Sequence, residues 1–206
     1  MKTFEVIKIG SNLLKEKNIQ SFILDSELLL SKTLKKPREE ILINLDKKLN
    51  RKNFLKFKEY LFRRSKNEPI AYILEEKEFW SKKFEVNKNT LIPRPETELL
   101  VEQLIKIYNG KRISILDIGT GSGCIIISLL SILKHSKGIG VDISQKALEI
   151  AKNNALRHNL LNRIKFINRS IDKLSHKKFD LIVSNPPYIK RKDIKNLSDD
   201  IKKFEP

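Results

Sequence analysis

A chain of 206 residues, 40% hydrophobic and 33% charged, is long enough to bury a core and has the composition of a folded rather than a disordered protein. Its formal net charge of +17 favours polyanions, yet Lys is spread through every segment and no compact patch of Arg and aromatic residues gathers to grip bases. The single Cys124 excludes internal disulfides and Cys-based zinc cages, and His135, His158 and His176 share no ligand spacing, which fits a reducing, cytoplasmic setting without a metal.

The opening stretch "MKTFEVIKIGSNLLKEKNIQ" breaks its apolar residues with Lys, Glu and Asn, so no secretory leader is expected. Residues 1–75 are expected to form a small helical domain. "LDSELLLSKTL" is apolar at helical spacing through Leu24, Leu28, Leu29 and Leu34, with Asp25 and Ser26 available to cap its start. "REEILINL" and "RKNFLKFKEYLFRRS" supply two more amphipathic segments, the second with Phe54, Phe57, Leu61 and Phe62 on one side. Residues 76–96 read as a linker hairpin, because "KEFWSKKFEVN" is aromatic and β-prone, and Thr97 is expected to open the helix "ETELLVEQLIKIY".

From residue 97 to residue 206 the rhythm is that of an α/β domain. "ISILDIG", "GIGVDIS", "IKFIN" and "FDLIVSN" are short apolar runs alternating with helix-length stretches or short loops, which predicts a parallel sheet with helices on its faces. "CIIISLLSIL", Cys124 to Leu133, is about half of the roughly 20 residues needed to cross a bilayer, so it is expected to be a buried helix and no membrane partner is expected.

The chemistry gathers at strand ends. "DIGTGSG" places Asp117, Gly119, Gly121 and Gly123 where the first strand opens into a helix, the edge at which doubly wound sheets bind cofactors. Asp142 in "GVDIS" follows Gly123 at close to the interval of about 20 residues at which an acid reaches a ribose, and its carboxylate can accept from both ribose hydroxyls. The glycine spacing is G-x-G-x-G and not the dinucleotide fingerprint, which disfavours a nicotinamide oxidoreductase. At the end of the fourth run stands "NPPY". Pro186 and Pro187 remove backbone donors and fix two φ angles, so the neighbouring carbonyls stay free and rigidly aimed. The Asn185 oxygen and such a carbonyl can accept both hydrogens of a planar NH₂ group, with Tyr188 over its plane. Held this way, a delocalised nitrogen turns its lone pair toward an electrophile.

Together, "DIGTGSG", "GVDIS" and "SNPPYI" resemble class I methyltransferases that use S-adenosylmethionine and act on amino groups. "EFWSKKFEVNKNTLIPRPETELLVE", with "EPIAYIL" and "LDSELLL", is similar to the peptide chain release factor glutamine-N5 methyltransferase family, PrmC or HemK. The resemblance runs from about Leu24 to Tyr188. It implies a Rossmann-like class I methyltransferase sheet behind a helical domain that grips the release factor, and methylation of the glutamine amide in the release factor GGQ motif. By the same resemblance Asn185, Pro186, Pro187 and Tyr188 would be catalytic and hold the amide, with Arg94 and Glu96 on the wall near the sulfonium and substrate. Asp117, Gly119, Thr120, Gly121, Gly123, Asp142, Ser170 and Asn185 would line the S-adenosylmethionine site.

The chain departs from the family pattern at Asn67 and Glu75, where glycine is usual, and at Ser170, where an acid or amide often meets adenine. A full class I sheet carries further strands after NPPY, so the sheet is expected to lack its C-terminal strands and "FDLIV" to be an exposed edge. Two other readings compete: a methyltransferase for adenine N6 or guanine N2 of nucleic acid, with direct nucleic-acid binding possible but less favoured, and a non-catalytic binder of release factor or cofactor.

Overall fold

The computed structural model describes residues 1–173, 178–186 and 199–206. The chain divides into two compact units, the first built from Met1–Leu74 with a short late helix and the second from residue 75 onward.

The first unit is helical: α1 (Thr3–Glu16), α2 (Phe22–Leu34), α3 (Arg38–Ile43), α4 (Arg51–Ser65) and α5 (Ile70–Leu74). Their apolar stripes meet in a core of Val6, Leu14, Leu29, Leu30, Phe57, Leu61 and Ile73, with Phe57 fully buried. The start of α2 differs from the sequence expectation. The helix begins at Phe22, so Asp25 and Ser26 lie inside its first turns and do not cap it. Asp25 is buried and accepts from Arg64 Nε at 2.7 Å, while Ser26 Oγ donates to the Ile7 carbonyl at 3.0 Å. A guanidinium partner on α4 claims the buried carboxylate that local propensity would spend on a cap.

The second unit opens with a hairpin, β1 (Glu76–Phe79) and β2 (Lys82–Glu85), and continues with α6 (Pro95–Tyr108), β3 (Ser114–Ile118), α7 (Cys124–Ile132), β4 (Lys137–Asp142), α8 (Gln145–Arg157), β5 (Ile164–Asn168) and β6 (Leu181–Ser184). The last helix, α9 (Asp199–Phe204), groups with the first unit, whereas Glu205 and Pro206 group with the second. The four expected apolar runs form one sheet in the order β5-β4-β3-β6, every neighbouring pair parallel. Among the described residues β6 stands at the end of that order. Ile115, Leu181 and Val183 pack with the almost wholly apolar α7, which is the buried helix expected from its sequence. Leu116, Ile139 and Ile182 share the other face, where Ile182 is 60% exposed.

Asn154 of α8 joins three elements. It is fully buried, its Oδ1 accepts from the Glu85 N–H at 2.7 Å, and its Nδ2 donates to the Glu85 carbonyl at 3.0 Å and to the Ser122 carbonyl at 2.9 Å. One side chain thus fastens β2 and the glycine-rich loop to the same helix. Phe79 and Phe84 of the hairpin meet edge to face at 6.1 Å in the core beneath it.

Several turns take left-handed backbone without glycine. Asn67 and Glu75, the two positions where the resembled family usually carries glycine, have φ of 65° and 62°. They hold the conformation that glycine would adopt freely, which Asn tolerates better than Glu. The hairpin turn at Trp80 and Ser81 has φ of 51° and 52°, and the register Phe79↔Lys82 makes it a two-residue turn of the kind that normally carries Asn-Gly. Core packing of Trp80 and a bond from its N–H to Glu98 Oε1 at 2.9 Å hold it there.

Two stability measurements follow from this architecture. Replacing Asn154 by Ala orphans one N–H and two carbonyls, and should lower the unfolding free energy by roughly 2–4 kcal/mol in urea titrations, whereas replacing its exposed neighbour Asn153 should change it little. Ser81→Gly should raise stability by up to about 1 kcal/mol through relief of the left-handed strain.

Candidate active site

Parallel pairing brings the carboxyl ends of all four strands to one edge, and the register Ile118↔Ser184 sets Gly119 beside Asn185. The loop after β3 is pinned to β4 by the N–H groups of Gly119 and Thr120, which both donate to the Val141 carbonyl, at 2.8 and 3.0 Å. Gly119 and Gly121 have positive φ, with open space where a side chain of Gly119 would stand and only an ordinary contact with the Gly119 carbonyl at 3.9 Å for one on Gly121, so the backbone presents a bare surface. Gly123 caps α7 at φ 80°, and a Cβ there would come within 2.9 Å of Ile127. The helix and its partial positive charge therefore begin directly at the loop.

Asp117, the last buried position of β3, is 1% exposed. Its Oδ2 accepts from the Thr120 hydroxyl at 2.7 Å, whereas Oδ1 has no hydrogen-bond partner among the described residues. Burial pushes its pKa up to about 7, against the pull of the Thr120 hydroxyl and the Ile126 N–H, and the nearby Asp142 charge adds to the rise. A buried carboxylate with one oxygen unpaired is a group made for a cation.

Asp142, at the end of β4, is held from both sides. The Gly121 N–H donates to its Oδ2 and the Ser144 N–H to its Oδ1, each at 2.9 Å. Each oxygen keeps a second lone pair, so the carboxylate is aimed and still able to accept two hydroxyls. At the end of β5, Asn168 Nδ2 donates to the Asp142 and Ile143 carbonyls, which fastens this edge, and two residues on the Ser170 hydroxyl donates to Asp172 Oδ2 at 3.0 Å.

A narrow cleft separates the segment before α6 from the glycine loop, with Arg94, Thr97, Gly119, Gly121 and Asn185 among its walls. Thr97 does not open α6, which starts at Pro95 with Arg94 as its cap residue. Its hydroxyl instead accepts from Asn185 Nδ2 at 3.0 Å. Arg94 Nη2 donates to both oxygens of Glu205, at 2.6 and 2.7 Å, and that carboxylate is 3% exposed. Glu96 is exposed and does not line the cleft, and Pro186 is exposed just past Asn185. Pro187 and Tyr188 lie outside the described residues. Sequence reasoning missed Thr97 as a site residue and Glu205 altogether. No local pattern signals either, because their partners are distant in the chain.

The sequence matches two family descriptions: PrmC N-terminal domain over residues 5–74 and Methyltransferase small domain over residues 95–201. A protein named release factor glutamine methyltransferase from Buchnera aphidicola subsp. Schizaphis graminum is 47% identical over 177 residues, covering 86% of this chain and 64% of that one. Its namesake from Buchnera aphidicola subsp. Acyrthosiphon pisum is 41% identical, covering 96% of this chain and 71% of that one. A bifunctional methyltransferase from Rickettsia felis is 41% identical over 90% of this chain and only 41% of its own length.

The raised pKa of Asp117 has a measurable signature. Its carboxyl carbon should titrate near pH 7 by NMR. Because the folded pKa lies above the unfolded value, the group's contribution is most favourable below pH 3.8 and is lost as pH rises toward about 7, so Asp117→Asn should flatten stability across that window.

Proposed function

The chain belongs to the release factor glutamine methyltransferase family, and from that premise we propose that it transfers a methyl group from S-adenosylmethionine to the side-chain amide nitrogen of the glutamine in the GGQ motif of peptide chain release factors. The observation that carries the reading is the juxtaposition, in one cleft, of a bare glycine loop and the Asn185 carboxamide, with the half-paired Asp117 carboxylate beneath that loop.

These residues suit the cofactor. Asp117 Oδ1 would take its ammonium group, the Gly119–Gly121 backbone would pass along its methionine portion, Asp142 would accept its ribose hydroxyls, and Ser170 would stand nearest the adenine. When bound, S-adenosylmethionine supplies an electrophilic methyl group on a positively charged sulfur. Asn185 Oδ1 would accept one amide hydrogen of the substrate. The Pro187 carbonyl would accept the second and Tyr188 would cover the amide plane, completing the pocket proposed from the resemblance. Both acceptors would favour positive charge developing on the substrate nitrogen, and solvent would take the proton that it loses. Pairing of Arg94 with Glu205 also matters, because a free guanidinium in the cleft would repel a sulfonium.

The helical unit is proposed to hold the body of the release factor, and the setting is proposed to be the cytoplasm. Among the described residues no helix is long and apolar enough to cross a membrane.

The test is incubation of the chain with S-adenosylmethionine and a bacterial release factor, followed by peptide mass spectrometry. One added methyl on the GGQ glutamine is expected, reduced at least about 100-fold by Asn185→Ala through loss of a transition-state hydrogen bond. No methyl on the release factor, or a methyl on added RNA instead, would overturn the reading.

A further inference from the structure

The Asn185 carboxamide works in this reading only if its oxygen faces the substrate. A carboxamide is nearly symmetric in shape, so a half-turn about its Cβ–Cγ bond exchanges an acceptor for two donors at almost no steric cost. Flipped, it would present NH₂ to the NH₂ of the substrate.

Thr97 meets the nitrogen end of that carboxamide. It lies in the first turn of α6, is 8% exposed, and its Oγ1 sits 3.0 Å from Asn185 Nδ2, across 88 positions of sequence. With the nitrogen held there, Oδ1 is left as the free acceptor, and no described residue donates to it. Three residues earlier, Arg94 binds the carboxylate of Glu205, whose side chain is 3% exposed. Four consecutive residues, 94–97, therefore anchor both Asn185, where the chain leaves β6, and Glu205, the position before the last.

We propose that Thr97 is a positioning residue: its hydroxyl fixes the rotamer of Asn185, so that the carboxamide oxygen stands ready in the cleft, and the Arg94–Glu205 pair braces the same anchor. The role rests on the methyl-transfer reading for its catalytic consequence, while the anchoring itself does not.

Two measurements on the full chain separate these parts. In ¹⁵N-labelled protein the Asn185 side-chain amide, assigned by its loss in Asn185→Asp, should exchange slowly with solvent. It should become fast in Thr97→Val and be slow again in Thr97→Ser. An unchanged signal in Thr97→Val overturns the anchoring. In the methylation assay Thr97→Val should lower kcat roughly tenfold, the worth of one oriented hydrogen bond. The KM for S-adenosylmethionine and the melting temperature should stay near the parent's, and Thr97→Ser should restore the rate. A parental kcat in Thr97→Val, or a loss matched by weaker cofactor binding and lower melting temperature and not rescued by Ser, overturns the positioning role. A parent chain that transfers no methyl counts against the proposed function, and the amide exchange still decides whether Thr97 holds Asn185.

Discussion

A carboxylate buried without a full set of partners is the constraint around which the second unit is arranged. Asp117 is carried into the interior by β3, an inner strand that pairs with both β4 and β6. The loop that follows must then satisfy one oxygen, through Thr120, while leaving the other. It must also turn sharply enough to begin α7 at once, which explains three glycines with positive φ in five residues. Each requirement narrows the next: the glycine turn exposes backbone, and the exposed N–H of Gly121 then fixes the Asp142 carboxylate on the neighbouring strand.

The rest of the unit keeps that arrangement stiff. Asn154 ties the Ser122 carbonyl of the loop to the hairpin, so the turn is not free to drift. On the other side of the cleft, the start of α6 is held by Trp80 against Glu98 and itself holds Asn185 and Glu205. Most of these contacts are single hydrogen bonds worth about 1 kcal/mol each. Their value is in orientation, because groups aimed before a ligand arrives need no reorganisation when it does.

The sequence announces what local physics determines. Apolar runs of strand length between helical stretches foretell a parallel sheet, and the strands at 114–118, 137–142, 164–168 and 181–184 fall within a residue or two of them. A G-x-G-x-G loop and Pro-Pro after a strand are equally legible, since backbone freedom and its removal belong to those residue types. What stayed hidden depends on partners far along the chain. Asp25 and Thr97 look like helix caps by propensity, yet a guanidinium on α4 and the carboxamide of Asn185 claim them. Glu75 by its own residue type argues against left-handed backbone, and only the glycine usual at that position in the resembled family pointed to it; the fold around it overrules the preference of its side chain.

The central claim is that the unpaired oxygen of Asp117 receives the ammonium group of the cofactor. Calorimetric titration with S-adenosylhomocysteine, the product form, tests it between pH 6 and pH 8, since only the ionised carboxylate attracts the cation and its pKa in the free protein is about 7. Affinity should strengthen as pH rises through that value, with proton release on binding near its lower end, and Asp117→Asn should bind weakly with no such slope. Binding that is independent of pH, or that survives intact in Asp117→Asn, would contradict the account.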